Sequence, residues 1–308
     1  MTAAATRPTA AEAPAAGRDR WHVDRRQLVL ALAGVTTFTE VLSIAGLVPD
    51  IEIGGLPLSM SLLPALALGL ACGSRLLGRS TVRRAAVGFW VIAGGLLVAL
   101  FAIYVFRREV ALYWGLIFAA LDEELVYRLA VPAVVAAALR MGNVRPNAAR
   151  IAGLALGGLW WALLPGHIEQ MDGPTGPLPY LAFAALGALI VYRSGSVLPM
   201  AIGHAISNLL TVLMWSAAMP ADARSVGLAS VLALLVLAYG RPARITHDDD
   251  GGLLDTRTGL TVTAIDLRDG QPALVELEDG RVLPVHRGMV RPASIPVVGD
   301  LPSPERAS

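Results

Sequence analysis

The chain has 308 residues, 55% of them hydrophobic and 16% charged, with a mean hydropathy of +0.60 and a formal net charge of +1. A composition this apolar, laid out in long blocks between short arginine-bearing loops, excludes a large soluble core and indicates a polytopic membrane protein. The near-zero charge offers no surface for nucleic acid, and the single cysteine, Cys72, rules out an intrachain disulfide and a zinc-cysteine cluster.

Residues 1–24 are rich in Ala, Pro and Thr and lack the short apolar core and small-residue cleavage site of a signal peptide. They read as a disordered tail, so the first apolar block is expected to stay in place as a helix. A window of about 20 residues places spans near 28–48, 58–74, 86–106, 111–139, 150–166, 178–193, 197–217 and 225–240. The expected fold is an all-α bundle of about eight transmembrane helices over residues 25–242, with the fourth long enough to break near Asp122. Gly94 with Gly95, and Gly153 with Gly157, are small-residue pairs suited to close helix contacts within or between chains.

Arginine placement suggests the orientation. Arg25, Arg26, Arg75, Arg79, Arg83, Arg84, Arg140, Arg145, Arg150, Arg193, Arg241 and Arg244 fall on one side, with Arg107, Arg108 and Arg224 as exceptions. The positive-inside rule makes that side cytoplasmic, so both termini are expected in the cytoplasm of a cell whose plasma membrane holds the bundle.

After Arg244 the composition changes. Residues 243–258 contain the polar run His247-Asp248-Asp249-Asp250-Gly251-Gly252 and read as a linker. Residues 259–294 hold strand-like runs at Thr261–Ile265, Ala273–Leu277 and Val282–Val285, separated by the hairpin-turn pairs Asp269-Gly270 and Asp279-Gly280. A small C-terminal cytoplasmic β module is expected there, an appendage for stability or docking, followed by a disordered tail at 295–308.

Three polar sets interrupt the apolar spans, where ionisable groups are costly and therefore candidates for function. The first is Glu123-Glu124-Leu125-Val126-Tyr127-Arg128. Glu124 and Arg128 are four apart, acid before base, and can neutralise each other on one helix face. Glu123 has no ionic partner at helical spacing, and a lone carboxylate in a low-dielectric site suits a general base or acid. The second set is His167, following Pro165-Gly166, a pair able to unwind a helix end and aim the imidazole inward. The third is His204 with Asn208, again four apart, whose ring and amide N–H groups can converge on one oxyanion. Singly, the second set is more often a packing or interface histidine and the third an interhelical hydrogen-bonding pair; the functional reading rests on all three sets in this order. Glu40, in the first span, is an isolated acid suited to lining a water or substrate path, with no assigned role.

In this order the three sets resemble the motifs of the CAAX prenyl endopeptidase and bacteriocin-processing family of intramembrane proteases. Glu123, Glu124 and Arg128 match EExxxR, with Tyr127 and Leu129 where Phe and Gly are usual. His167 matches the histidine of Phe-x-x-x-His, with Leu163 in place of the Phe, and His204 with Asn208 match His-x-x-x-Asn. The lead-in Ser194-Gly195-Ser196-Val197-Leu198-Pro199 is similar too, and the likeness covers roughly residues 110–216. The resemblance implies a glutamate-type endopeptidase. In it Glu123, helped by His167, activates water, His204 and Asn208 hold the oxyanion, and Glu124 and Arg128 orient and balance charge. It implies a membrane-associated peptide or protein as substrate and no cofactor.

Two His and two Glu can ligate zinc, but the zincin pattern His-Glu-x-x-His is absent. A rhomboid-like serine enzyme fits worse, since no Gly-x-Ser-Gly lies in a span, and Asp122 has no intramembrane aspartate partner for an aspartyl enzyme. The competing readings are a non-catalytic immunity or scaffold relative that binds a peptide in the same cavity, and a proton-coupled transporter. Against the transporter, there is no inverted repeat and no matched pair of broken helices.

Overall fold

A computed structural model describes residues 25–78, 80, 82–240, 245–247, 253–255, 262–268, 271–277 and 282–284. Both expected disordered tails, at 1–24 and 295–308, lie outside the described residues.

The chain begins with α1 (Arg25–Ile44) and then makes a short antiparallel hairpin, β1 (Ile51–Ile53) and β2 (Leu56–Leu58). Its turn is Gly54-Gly55, both at positive φ, 66° and 78°, which only glycine adopts without strain. The hairpin lies against the start of α4, where a Cβ on Gly115 would come 2.5 Å from the Ile53 carbonyl oxygen. Next come α2 (Leu62–Cys72) with a 3₁₀ turn to Leu77, and α3 (Arg83–Phe106). The stretch from 110 to 141 is one continuous helical rod in three parts: α4 (Val110–Leu125), a π turn (Val126–Ala130) and α5 (Val131–Met141). α6 (Pro146–Ala162) is followed by the single turn α7 (Pro165–Ile168), then α8 (Pro177–Ser194), α9 (Val197–Trp215) and α10 (Ala221–Tyr239).

Among the described residues, five helices are long and apolar enough to cross a membrane: α1, α3, α8, α9 and α10. The expectation of about eight is thus reduced. The span expected at 58–74 begins with the hairpin strand and leaves an 11-residue α2, about 16 Å long against a hydrocarbon core of about 30 Å. The span at 111–139 is interrupted by the π turn, and α6 stops at 17 residues. The break expected near Asp122 falls four residues later, at Val126.

α9 is the interior helix, with 61% of its apolar window buried against 17–28% for the other four. One buried cluster, including Leu125, Tyr127, Leu129 and Trp161, lies around α4–α6; the other, including Phe89, Tyr104, Leu209 and Leu235, joins α3, α9 and α10. Gly153 and Gly157 act within the chain: a Cβ on either would come 2.6 Å from the Pro132 carbonyl oxygen or 2.4 Å from that of Tyr127, so α6 rides directly on the π turn and α5. Gly94 and Gly95 face open space. α8 and α9 are joined by Gly195, left-handed at φ 71°, whose N–H caps Val191.

In the C-terminal segment, β5 (Val262–Arg268), β6 (Gln271–Leu277) and β7 (Val282–Pro284) form a three-stranded antiparallel sheet, close to the expected runs. The turn pairs Asp269-Gly270 and Asp279-Gly280 lie outside the described residues. The expected linker 243–258 contains a short antiparallel pair, β3 (Ile245–His247) with β4 (Leu253–Asp255).

Candidate active site

The three polar sets, up to 85 residues apart in sequence from Glu123 to Asn208, meet between α4, the π turn, α6, α7 and α9. Glu123 and Glu124 occupy the last turn of α4, Arg128 the π turn, His167 the single turn α7, and His204 and Asn208 the buried α9.

Of the two adjacent glutamates Glu123 is the more open, with 24% of its side chain exposed. Its Oε2 lies 4.0 Å from His167 Nε2 and 3.8 Å from His204 Nε2, and it accepts a hydrogen bond from the indole Nε1–H of Trp161. Glu123 has no ionic partner on its own helix; the two imidazoles come to it through space, from α7 and α9.

His167 is aimed by the break after α6. That helix ends at Ala162, Pro165 occupies the first turn of α7, and the ring turns back so that Nδ1 lies 2.7 Å from the Trp161 carbonyl oxygen. A carbonyl can only accept, so Nδ1 carries a proton and donates it there, which leaves Nε2 facing Glu123. Leu163, standing where the family pattern has Phe, is half exposed. The aromatic support comes instead from Trp161, with ring centroids 4.5 Å apart, and Tyr180, at 4.9 Å.

Glu124 is buried and shared. Its Oε1 lies 3.1 Å from His204 Nδ1, and its Oε2 lies 3.7 Å from Arg128 Nε. The expected Glu124–Arg128 pair is present as a close ion pair without a hydrogen bond, and the Arg128 guanidinium finds no hydrogen-bond partner among the described residues. Arg128 is held by shape instead. A Cβ on Gly187 would come 2.7 Å from its Nε, Gly158 leaves room beside Nη1, and its carbon lies 5.4 Å from the centre of the Trp161 ring.

Asn208 is half-buried on the same face of α9 as His204, one turn on, and makes no hydrogen bond with a described residue. Among the described residues its amide is therefore a free donor. Sequence reading overlooked Trp161, which touches Glu123, His167, His204 and Arg128 at once. The Trp160-Trp161 doublet just before the histidine was the available signal. Among the described residues, no group of three or more His, Cys, Asp or Glu forms a metal-holding set.

Residues 106–210 match the family model for type II CAAX prenyl endopeptidase Rce1-like proteins. Over those residues the chain is similar to a CAAX prenyl endopeptidase Rce1-like domain. That domain covers 105 of 308 residues and contains all six site residues, Glu123 to Asn208. α1, the β1–β2 hairpin and α2 lie outside the Rce1-like match, as do α10 and the C-terminal strands. Beside the match, five helices long and apolar enough to cross a membrane among the described residues are what a multi-pass membrane protein would have. No curated protein and no solved structure matches the chain.

Proposed function

We propose that the protein is an intramembrane endopeptidase that hydrolyses a peptide bond of a membrane-associated peptide or protein, with Glu123 as the base. The observation that carries the reading is the Glu123 carboxylate, partly open and faced by two imidazole nitrogens within 4.0 Å.

In this mechanism Glu123 removes a proton from the attacking water, and the His167 Nε2 lone pair accepts a second hydrogen bond from that water and so aligns it. As the oxygen attacks the scissile carbonyl, negative charge develops on the carbonyl oxygen. His204 as imidazolium donates Nδ1–H to Glu124 and Nε2–H to the oxyanion, and the Asn208 amide supplies the second donor. Two carboxylates, Glu123 and Glu124, are then balanced by two cations, Arg128 and His204. The proton taken by Glu123 passes to the departing amine as the tetrahedral intermediate collapses, leaving an acid and an amine product. No covalent intermediate with the protein forms. The two imidazoles facing Glu123 favour this reading over the scaffold, because a peptide-binding relative has no use for a base so placed.

The test is cleavage of membrane-tethered peptides by wild type and by His204→Ala and Asn208→Ala, each checked for expression, with a parallel chelator arm. Loss of cleavage in both variants with no effect of chelator is expected. Wild-type cleavage abolished by chelator would replace the glutamate mechanism with a metal-dependent one.

A further inference from the structure

Glu40 stands in the apolar stretch of α1 and is buried at 5% exposure. It is not isolated. Its Oε2 accepts hydrogen bonds from Ser59 Oγ at 2.6 Å and Ser61 Oγ at 2.8 Å, and its Oε1 accepts one from the Tyr127 hydroxyl. Ser61 Oγ also lies 3.1 and 3.3 Å from the two carboxylate oxygens of Asp122, itself buried at 6% exposure, so its one hydroxyl proton is shared between the Glu40 and Asp122 carboxylates. The serines are themselves fixed: Ser61 N–H donates to Ser59 Oγ, and Met60 N–H donates to Ser43 Oγ of α1. No cation pairs with Glu40 or Asp122 among the described residues, so hydrogen bonds alone hold the set.

The two residues this cluster grips, Asp122 and Tyr127, bracket Glu123 and Glu124 and straddle the start of the π turn. At that point the backbone ladder changes register. Val126 N–H is shared between the carbonyls of Asp122 and Glu123, and Val131 N–H reaches back five residues to Val126. A π turn is a one-residue insertion into an α-helix and is less stable than the helix it interrupts. Were it to relax, the helix beyond would rotate by about 100° relative to the part before it. α5 would then lose its seat on Gly153 and Gly157 of α6, and Arg128 would be drawn out of the slot beside Gly187. Something outside the rod has to hold the register, and Glu40 with its serines is bonded on both sides of the junction.

We infer that Glu40, with Ser59 and Ser61, forms a clamp of positioning residues that fixes the register of the α4 π turn and thereby presents Glu123, Glu124 and Arg128 to one another. The clamp lies outside the matched domain, in α1 and its connection to α2. It would make that N-terminal segment part of the working enzyme. Its catalytic consequence rests on the protease reading above; its structural consequence does not.

The experiment takes the full chain in lipid nanodiscs and compares wild type, Glu40→Gln, Ser61→Ala and Ser61→Thr by backbone hydrogen exchange and by peptide-cleavage kinetics. In Glu40→Gln and Ser61→Ala, faster exchange confined to residues 119–131 is expected, with kcat down at least about tenfold and KM within about twofold. Ser61→Thr keeps the hydroxyl and is expected to restore both. Exchange at 119–131 that stays at the wild-type rate, or that rises equally in α9 and α10, overturns the clamp. Confined exchange in a protein whose wild type cleaves nothing supports the clamp and counts against the protease reading alone.

Discussion

His204 Nδ1 lies 3.1 Å from Glu124 Oε1, while Nε2 of the same ring lies 3.8 Å from Glu123 Oε2. One imidazole therefore bridges the two adjacent glutamates, and their side chains are set apart in role by what else they touch. Glu124 is 1% exposed and turned towards Arg128; Glu123 is 24% exposed and open to a reactant.

Replacing Glu124 by Gln removes the carboxylate charge that orients and balances His204, and leaves the Arg128 charge buried without its partner. We expect a drop in kcat of about a hundredfold or more, by analogy with other orienting carboxylates behind a histidine. Stability should fall by about 3–5 kcal/mol, the usual cost of stranding a buried charge. Adding Arg128→Met to Glu124→Gln should recover much of the stability and none of the activity. Thermal unfolding and single-turnover cleavage on the same preparations check both halves.

Trp161→Phe keeps an aromatic ring beside His167 and His204 but deletes the N–H that Glu123 accepts. A hydrogen bond to a charged group contributes about 1.5–3 kcal/mol, so kcat/KM is expected to fall between about tenfold and a hundredfold with a small change in melting temperature. Unchanged kcat/KM would remove Trp161 from the account.

Gly187→Ala places a methyl group 2.7 Å from Arg128 Nε and 3.3 Å from Nη2. With no slack around the guanidinium, the substitution should cost about 1–3 kcal/mol, the range for overpacking, and impair cleavage. Gly88→Ala is the matched control, since nothing lies within 4 Å of a Cβ there, and it should be neutral or stabilising by up to about 1 kcal/mol. The two variants are compared by thermal denaturation in detergent.

Much of the bundle can be read directly from the residues. The apolar blocks that became α1, α3, α8, α9 and α10 are long and carry few charges, and hydropathy locates such segments well. Hydropathy is blind to backbone hydrogen-bond register, so the length of the fourth block suggested a break near Asp122 but not that the break is a π turn, at Val126–Ala130. The first hairpin was legible in principle from Ile-Glu-Ile-Gly-Gly-Leu-Pro-Leu, a Gly-Gly turn between short apolar runs, but it falls in the short gap between the spans at 28–48 and 58–74, where hydropathy assigns no element.

In the site, the i,i+4 spacings of Glu124 with Arg128 and of His204 with Asn208 do place each pair on one helix face. Spacing cannot show contacts between helices. The bridge from His204 to Glu124, the indole of Trp161 on Glu123, and the link from Glu40 to Tyr127 and Asp122 all join distant segments. Glu40 looked solitary for that reason alone.

The central claim is that Glu123 is the base, and Glu123→Gln tests it most directly, because the amide keeps the size and the hydrogen bond from Trp161 while losing basicity. Purified wild type and variant are reconstituted in liposomes with a peptide substrate that the wild type cleaves, and single-turnover rates are measured. The account predicts that the variant folds, binds the peptide with near-normal affinity and cleaves it at least about a thousandfold more slowly. Cleavage by Glu123→Gln within about tenfold of the wild-type rate would contradict it.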